Sequence, residues 1–377
     1  MLVLAALVVA ALIAFGLPGK VAHGIQCSVD EILGASSHAC SSPGSSSLAA
    51  TPPWRSANPV TRATWGRYVS LGDSYSAGEG LGPFQPGSDT SHIDLTACRV
   101  HVGPLCAVPF PKRVVTDGCH RSARAYGGAV SGSYKFVKGN TFWACSGSTT
   151  QDIYDGAGDP NCAQHGSASG RYGEGCQVNR VNKDASLVTL TIGGNDAGFA
   201  KDLQTCYQGD LPLQGGASKC TAQGPAIDQR IADMKARLIA DLSAIHQRAP
   251  HARIIIMTYP QPFASNPTSS AGTCVVAGQL CLSPGDERFL NGKADELDSA
   301  VCSAAAAAGV GAECVDARNA FAGCEIGAPN PCVQSPSLSV SLIGSVGAAP
   351  GSFHPTAEGQ RRLAELIDNE IRNPPPS

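Results

Sequence analysis

The serine at position 74 has the sequence context of a catalytic nucleophile. It lies in the stretch YVSLGDSYSAGEG, residues 68–80. The first four residues are typical of a short buried strand, and Gly72-Asp73 ends that strand. Ser74 then falls where a helix would begin, so its hydroxyl is expected at the edge of a sheet beside free backbone N–H groups. An ordinary turn followed by a helix N-cap explains the same tripeptide, so Ser74 needs support from elsewhere in the chain.

Two further positions could complete an acyl-transfer site around Ser74. Ester hydrolysis requires a nucleophile, a base that takes its proton and donors that bind the oxyanion of the tetrahedral intermediate. The candidate donors are the backbone N–H of Ser74, the backbone N–H of Gly147 and the side-chain amide of Asn195 in the sequence GGND. Glycine and asparagine are also common in plain turns, so neither residue identifies the chemistry alone.

Histidine is the residue type expected for the base. The chain has nine histidines, and His354 stands out because the sequence FHPT places it at the entrance of the last predicted helix. His120 is the competing candidate, but it follows Cys119, a cysteine expected to be disulfide-bonded. His246 and His251 flank the end of a long predicted helix, where cations complement the helix dipole.

The predicted elements place these residues at one edge of a sheet. Apolar strands that alternate with amphipathic helices predict a parallel sheet covered on both faces, an α/β fold arranged as a three-layer α/β/α sandwich. Sites in such folds lie at the carboxyl ends of the strands, where Ser74, Gly147 and Asn195 are expected. The predicted strands are residues 68–71, 141–144, 187–192, 253–258 and 312–316, the predicted helices 226–248, 286–308 and 356–372, and the long loops 83–118, 155–180, 201–225 and 260–285.

Composition excludes several classes of function. A net charge of −3 provides no basic face for nucleic acid. The sixteen cysteines are scattered and include no CxxC pair, which favours disulfides in an oxidising compartment over metal sites. The sequence contains neither the HExxH pattern of zinc proteases nor the Gly-x-Ser-x-Gly elbow of α/β-hydrolases. No metal or other cofactor is expected.

The N-terminal region indicates export. Residues 2–17 form an uncharged apolar run that is short for a membrane span, and small residues at 22–24 resemble a signal-peptidase site. Residues 1–24 are therefore interpreted as a signal peptide, with an uncleaved anchor as the alternative. Residues 25–63 are predicted to be a Ser/Pro-rich extension that a Cys27–Cys40 disulfide could close, and residues 64–373 to be the folded domain.

Taken together, four ordered blocks resemble those of the SGNH (GDSL-type) hydrolases. The blocks are Gly72-Asp73-Ser74, Gly147, Asn195 within GGND, and His354-Pro355. Four longer stretches resemble the secreted actinobacterial esterase/lipase branch, namely CHRSARAYG, WACSGSTTQDI, VTLTIGGNDAGF and SFHPTAEGQ. The resemblance implies a flavodoxin-like fold with a mostly parallel five-stranded sheet, a Ser74 nucleophile, a His354 base, and an oxyanion hole formed by Ser74, Gly147 and Asn195.

Two positions depart from the family pattern. Relatives commonly carry Asp three residues before the histidine, where this chain has Gly351. Either the Gly351 backbone carbonyl or a carboxylate from elsewhere in the chain is expected to orient His354, so a Ser-His dyad and a triad are both open. Cys324 stands where relatives often have histidine, which suggests an additional Cys324–Cys332 bridge. The resemblance also implies the disulfides Cys119–Cys145 and Cys206–Cys220.

These features predict a secreted, monomeric serine esterase or lipase that hydrolyses small-molecule or lipid acyl esters. A carbohydrate O-deacetylase on the same scaffold is the alternative, and an inactive secreted binding domain is a third interpretation. Membrane contact is expected only through the N-terminal segment, and only if that segment is retained.

Overall fold

The computed structural model describes residues 52–94, 98–102, 105–109, 112–154, 175–209, 220–265, 274–275, 280–335, 338–340, 346–348 and 351–375. They belong to a compact unit that begins at Pro52, before the boundary predicted at residue 64. The unit begins earlier because the helix that ends at Thr64 packs on it, with Ala63 fully buried. The predicted signal segment and the Cys27–Cys40 pair lie outside the described residues.

A five-stranded parallel sheet forms the centre of this unit. Its strands are β1 (Arg67–Ser70), β2 (Asn140–Phe142), β3 (Ala185–Leu190), β4 (Arg253–Met257) and β5 (Glu313–Val315). Their spatial order is β5-β4-β3-β1-β2, and each neighbouring pair is parallel. This is the strand order of flavodoxin-like folds, read from the opposite edge. All five predicted strands are present, and the prediction is confirmed with small changes at their ends.

Helices cover both faces of the sheet, as the apolar periodicity of the sequence predicts. The helices are α1 (Pro59–Thr64), α2 (Ser74–Ala77), α3 (Tyr126–Ser133), α4 (Thr150–Ile153), α5 (Gly194–Ala197), α6 (Phe199–Gly209), α7 (Gly224–Arg248), α8 (Pro284–Ala307) and α9 (Ala357–Arg372). Short 3-10 turns occupy Pro53–Arg55, Gln177–Arg180 and Thr221–Gln223. In the described residues no helix is both long and apolar enough to span a bilayer.

Alternating strand residues build the two halves of the core. One face of the sheet, with Val69, Val188 and Ile254, packs against α7 and α8. The opposite face, with Leu187 and Ile255, packs against α3 and α9. Because successive side chains of a strand point to opposite faces, a strand buried on both sides must be apolar throughout, and this produces the continuous apolar runs of the sequence.

Part of the chain predicted as loop is regular structure. Most of helix α6, from residue 201 to Gly209, falls in the segment 201–225 that the sequence predicts to be a loop. Four small antiparallel pairs are also present: Thr90–Asp94 with Lys112–Asp117, Cys98–Val102 with Leu105–Pro109, Cys274–Val275 with Leu280–Cys281, and Leu338–Val340 with Val346–Ala348. Short strands with irregular register carry little periodic signal, which explains why the sequence did not predict them.

Disulfides link elements of the compact unit. The structure joins Cys119 to Cys145, Cys206 to Cys220 and Cys324 to Cys332, which are three pairs named from the sequence. A fourth bridge, Cys302–Cys314, fastens α8 to β5 and was not predicted. Cys176 is disulfide-bonded as well.

The close approach of α9 to the Cys324–Cys332 segment generates a stability prediction. A Cβ on Gly359 would lie 2.2 Å from the carbonyl oxygen of Cys332 and 3.0 Å from the Phe321 ring. We expect Gly359→Ala to destabilise the protein by about 1–3 kcal/mol, because the backbone must shift to relieve the clash. Thermal and urea unfolding would measure the change.

The matched control for this prediction is Gly292→Ala in α8, where an added Cβ would meet no atom within 4 Å. The same substitution should stabilise the protein there by about 0.5–1 kcal/mol, because alanine loses less entropy than glycine in a helix. Equal effects at the two positions would contradict the proposed steric role of Gly359.

Candidate active site

Ser74 lies at the carboxyl edge of the sheet, as the first residue of α2 directly after β1. The ladder between β1 and β3 continues into this turn, since the Asp73 N–H donates to the Thr191 carbonyl over 2.9 Å. Gly72 makes this continuation possible. Its φ is +118°, and a Cβ there would lie 2.4 Å from the same carbonyl oxygen.

The carboxylate of Asp73 fixes the segment at residues 72–80, which is called the nucleophile turn after the role predicted for Ser74. It accepts hydrogen bonds from the Tyr75 N–H at 3.0 Å, from the Thr191 hydroxyl at 2.7 Å and from the Tyr259 hydroxyl. Burial raises the pKa of Asp73 to about 6, although these hydrogen bonds favour the ionised form. Both carboxylate oxygens are therefore used within the turn and its neighbours.

Tyr259 connects the nucleophile turn to the GGND segment. Its hydroxyl donates to Asp73 and accepts the N–H of Gly194 at 3.0 Å. Burial raises the pKa of Tyr259 well above its ordinary value, so the hydroxyl keeps its proton and remains a donor. One phenol group thus sets the distance between the two segments.

Asn195 lies in α5, immediately after β3, and contacts the segment that follows β2. Its amide nitrogen donates to the Ser148 carbonyl over 2.8 Å. The neighbouring Asp196 accepts from the N–H and the hydroxyl of Thr150, at 2.9 and 2.6 Å. These bonds hold Gly147, which has a φ of +78°, beside Asn195 in the wall of one cavity.

Gln177 is a buried residue that the sequence did not single out. Its side-chain oxygen accepts the Gly72 N–H at 2.7 Å, and its nitrogen donates to the Gly72 carbonyl at 2.9 Å. The same nitrogen lies 3.1 Å from the Ser148 hydroxyl. One amide therefore ties the end of β1 to the segment that carries Gly147. Glutamine in a cysteine-rich loop has no sequence signal that would have identified this role.

His354 precedes α9 and faces the same cavity. Its Nδ1 lies 2.9 Å from the carbonyl oxygen of Ser352. Because a carbonyl can only accept, Nδ1 carries the proton and Nε2 presents a lone pair. Burial lowers the pKa of His354, and hydrogen bonds to the backbone of Ser352 and of Gly351, the predicted orienting residue, both raise it. The Gly351 carbonyl also accepts the backbone N–H of His354 at 3.1 Å, and the tight turn, with Phe353 at φ +63°, brings the Ser352 carbonyl to the ring.

Two side chains fasten the histidine segment to the nucleophile turn. The Tyr75 hydroxyl donates to the Phe353 carbonyl over 2.8 Å, and the Tyr75 ring centroid lies 5.6 Å from that of His354. Gln360, on α9, donates to the Tyr75 carbonyl over 2.9 Å and accepts the Tyr126 N–H at 2.8 Å. Tyr75, the residue that follows Ser74, thus positions the segment that carries His354.

Charged groups next to the site shift one another's pKa. Burial lowers the pKa of His354, while the negative charge of Glu79 opposes this effect. Burial also disfavours the ionised form of Glu79, but hydrogen bonds from His120 and Ser146 outweigh it and lower the pKa of that carboxyl. The hydrogen bond to Glu79 in turn raises the pKa of His120.

One cavity of about 360 Å³ brings the predicted residues together. Ser74, Gly147, Asn195, Gly351 and His354 all line it. The competing histidine, His120, lines it as well, but its Nδ1 bonds to Glu79. The apolar part of the wall is formed by Phe199, Ala200, Leu203, Pro260, Pro262, Ala294 and Leu297.

The sequence also missed two polar groups of this wall. Glu79 belongs to the stretch that contains Ser74, and an acid so close to a nucleophile was the available signal. Tyr259 directly follows the fourth predicted strand, at the edge where sites are expected.

Among the described residues, no group of three or more His, Cys, Asp or Glu side chains could hold a metal ion.

Comparison with known proteins identifies the family of this chain. Residues 70–362 match the model of the GDSL-like lipase/acylhydrolase family. A lipase of Streptomyces rimosus is 29% identical over 296 residues, which cover 78% of this chain and 82% of that protein. Lipase 1 of Streptomyces coelicolor is 28% identical over 299 residues, again covering 78% and 82%.

Two crystal structures share the fold. Phospholipase A1 of Streptomyces albidoflavus superposes with a TM-score of 0.56 at 28% identity, covering 81% of this chain and 99% of that one. The extracellular lipase of Streptomyces rimosus gives a TM-score of 0.54 at 27% identity, with the same coverage. The chain therefore belongs to the GDSL-like lipase/acylhydrolase family, within the actinobacterial lipase branch of the SGNH hydrolases, and is an ester hydrolase.

Proposed function

We propose that the protein is a secreted serine esterase or lipase that cleaves carboxylic acyl esters through an acyl-enzyme on Ser74. The observation that carries this proposal is the convergence of Ser74, His354, Gly147 and Asn195 on one cavity. Acyl transfer to a serine requires three functions in one place: a nucleophile, a base that takes its proton and donors that bind the oxyanion.

In the first half of the reaction, the Ser74 hydroxyl oxygen attacks the acyl carbon of the ester and Nε2 of His354 takes the hydroxyl proton. The carbonyl of the substrate becomes an oxyanion. It is bound by the N–H of Ser74, which as the first residue of α2 has no partner within its helix, by the N–H of Gly147 and by the amide of Asn195. An amide nitrogen carries two hydrogens, so the bond to Ser148 orients Asn195 while the other hydrogen serves the oxyanion.

In the second half, the intermediate collapses and the bond from carbon to the alcohol oxygen breaks. His354 gives its proton to the departing alcohol, which leaves an ester on Ser74. Water then attacks the acyl carbon as His354 takes one of its protons. Collapse of this second intermediate returns the proton to the Ser74 oxygen and releases the carboxylic acid.

The cavity wall favours an acyl ester as the substrate. Phe199, Leu203, Pro262 and Leu297 form an apolar surface beside the reacting groups. Each buried CH₂ of an acyl chain would gain about 0.8 kcal/mol there. The acetyl group of a sugar is too short to use this surface, so the apolar wall supports the lipase over the deacetylase alternative. Secretion is supported by the apolar N-terminal run, the disulfides and the extracellular lipase of similar sequence.

The first prediction from the proposed function concerns the nucleophile. The purified protein should hydrolyse p-nitrophenyl acyl esters of graded chain length, and Ser74→Ala should lower kcat by about 10⁴-fold or more, because the acyl-enzyme can no longer form. A fluorophosphonate probe should label Ser74 in the native protein and nothing in the variant. Labelling of Ser146 in place of Ser74 would show that Ser74 is not the nucleophile.

The second prediction concerns the oxyanion hole. Asn195→Ala should lower kcat by about 10²–10³ with little change in KM, because the amide acts most strongly on the transition state. Asn319→Ala is a matched control, since Asn319 is an exposed turn asparagine away from the cavity. Unfolding curves must show that both variants are folded. A normal kcat for Asn195→Ala would mean that this residue only shapes its turn.

The third prediction concerns pH. The base must be neutral, so kcat/KM should fall as the pH drops through the pKa of His354. Because burial lowers that pKa, the midpoint should lie below the ordinary histidine value of 6.5. Asp73, with a pKa of about 6, can titrate in the same range, so an NMR titration of the His354 ring must assign the midpoint. A ring midpoint at or above 6.5 would contradict the burial argument.

A further inference from the structure

Glu79 is a buried carboxylate that the reaction proposed above does not use. Its side chain is 6% exposed, and it lines the same cavity as Ser74 and His354. A buried charge is unfavourable unless other groups compensate for it. A carboxylate in this wall therefore requires a structural or chemical reason.

Two donors hold the Glu79 carboxylate in place. Nδ1 of His120 lies 2.7 Å from Oε2 of Glu79, and the Ser146 hydroxyl donates to the same oxygen over 2.5 Å. Charge-assisted hydrogen bonds of this kind favour the ionised form, which agrees with the lowered pKa of Glu79. The carboxylate is thus negatively charged at neutral pH.

His120 is itself held against Glu79. Its φ is +50°, a conformation that is uncommon for residues other than glycine. Phe84 stacks on the ring with the centroids 4.5 Å apart, and Asp89 lies 3.7 Å from Nε2. The backbone conformation and the two neighbours fix the ring so that Nδ1 points at the carboxylate.

The histidine on the other side of the cavity lacks a carboxylate partner of its own. Nδ1 of His354 bonds to a backbone carbonyl, and no ion pair joins His354 to an acid among the described residues. The Gly351 position has no room for one. A Cβ there would lie 2.9 Å from the Gln334 side-chain oxygen and 3.2 Å from Cα of Gly80. The turn that fills this space is the one that carries Glu79.

We propose that Glu79 is a positioning residue, whose carboxylate stabilises the positive charge that His354 acquires when it takes the proton of Ser74. The proposal rests on the Ser74–His354 chemistry proposed above. A carbonyl fixes the tautomer of the imidazole but carries only a partial charge. The full negative charge comes from the nucleophile turn, through the low-dielectric wall, without a direct bond to the ring.

The charges around the two histidines agree with this assignment. Burial has the largest effect on the pKa of His354 and lowers it, Glu79 raises it and His120 lowers it. Glu79 is faced by His120 and His354, and His120 is faced by Glu79, Asp89 and Asp117. Loss of the Glu79 charge should therefore make His354 a weaker base, whereas loss of the His120 charge should make it a stronger one.

The experiment compares the wild-type protein with Glu79→Gln, which keeps the shape of the side chain and removes its charge. We expect kcat to fall about tenfold with KM unchanged, a smaller loss than that caused by neutralising a hydrogen-bonded triad aspartate. The NMR titration of the His354 ring and the acidic limb of kcat/KM should both move to lower pH. Asp233→Asn, which removes an exposed acid of α7 that does not line the cavity, is the matched control and should leave both midpoints unchanged.

A His354 titration midpoint that is unaltered in folded Glu79→Gln would overturn the proposal, even if kcat falls, because the loss would then come from displacement of Ser146 and its neighbour Gly147. If Glu79→Gln does not fold, His120→Gln gives the second test. It removes the cation, so the His354 midpoint should rise, and an unchanged midpoint would again overturn the proposal. The ring titration does not depend on turnover. Failure of this inference is therefore distinct from failure of the proposed function, which Ser74→Ala tests.

Discussion

The hydrogen-bond ladder of β1 continues beyond the last strand residue, and the site depends on this extension. On one side the Asp73 N–H reaches the Thr191 carbonyl, and on the other the Cys145 N–H reaches the Gly72 carbonyl, each over 2.9 Å. The segments that follow β1, β2 and β3 are thereby held side by side at the carboxyl edge of the sheet. Glycine at position 72 is required because any side chain there would collide with the neighbouring strand. Ser74, Gly147 and Asn195 each lie within a few residues of this edge.

Buried hydrogen bonds then fix the positions of these segments relative to one another. Tyr259 joins Asp73 to Gly194, Gln177 joins Gly72 to Ser148, and Asn195 bonds to the carbonyl of Ser148. A buried polar group left without a partner costs about 1–3 kcal/mol, so displacing one segment leaves groups of the next one unpaired. Donors held in this way need little reorganisation when an oxyanion forms, which is the physical basis of oxyanion stabilisation.

The charges of the site are divided between two parts of the chain. The segment before α9 supplies His354, the proposed base, and a carbonyl that fixes its tautomer, whereas the acids of the site, Asp73 and Glu79, flank Ser74. Asp73 is occupied by its own turn, and Glu79 is held by His120 and Ser146. Tyr75 and Gln360 connect the two parts through hydrogen bonds to the backbone. The electrostatic environment of His354 is therefore a property of the nucleophile turn as much as of the segment that contains the histidine.

The sequence by itself determined the parallel sheet, the three long helices and the candidate residues Ser74, Gly147, Asn195 and His354. Apolar periodicity and turn chemistry are local, so they can be read without a structure. The small antiparallel pairs and the Cys302–Cys314 bridge could not be predicted, because they depend on contacts that leave no periodic pattern. The same limit applies to the site. Only the tertiary structure decided that the Ser352 carbonyl meets the imidazole and that Glu79 shares a cavity with His354, because these depend on turn geometry and on packing between segments far apart in the chain.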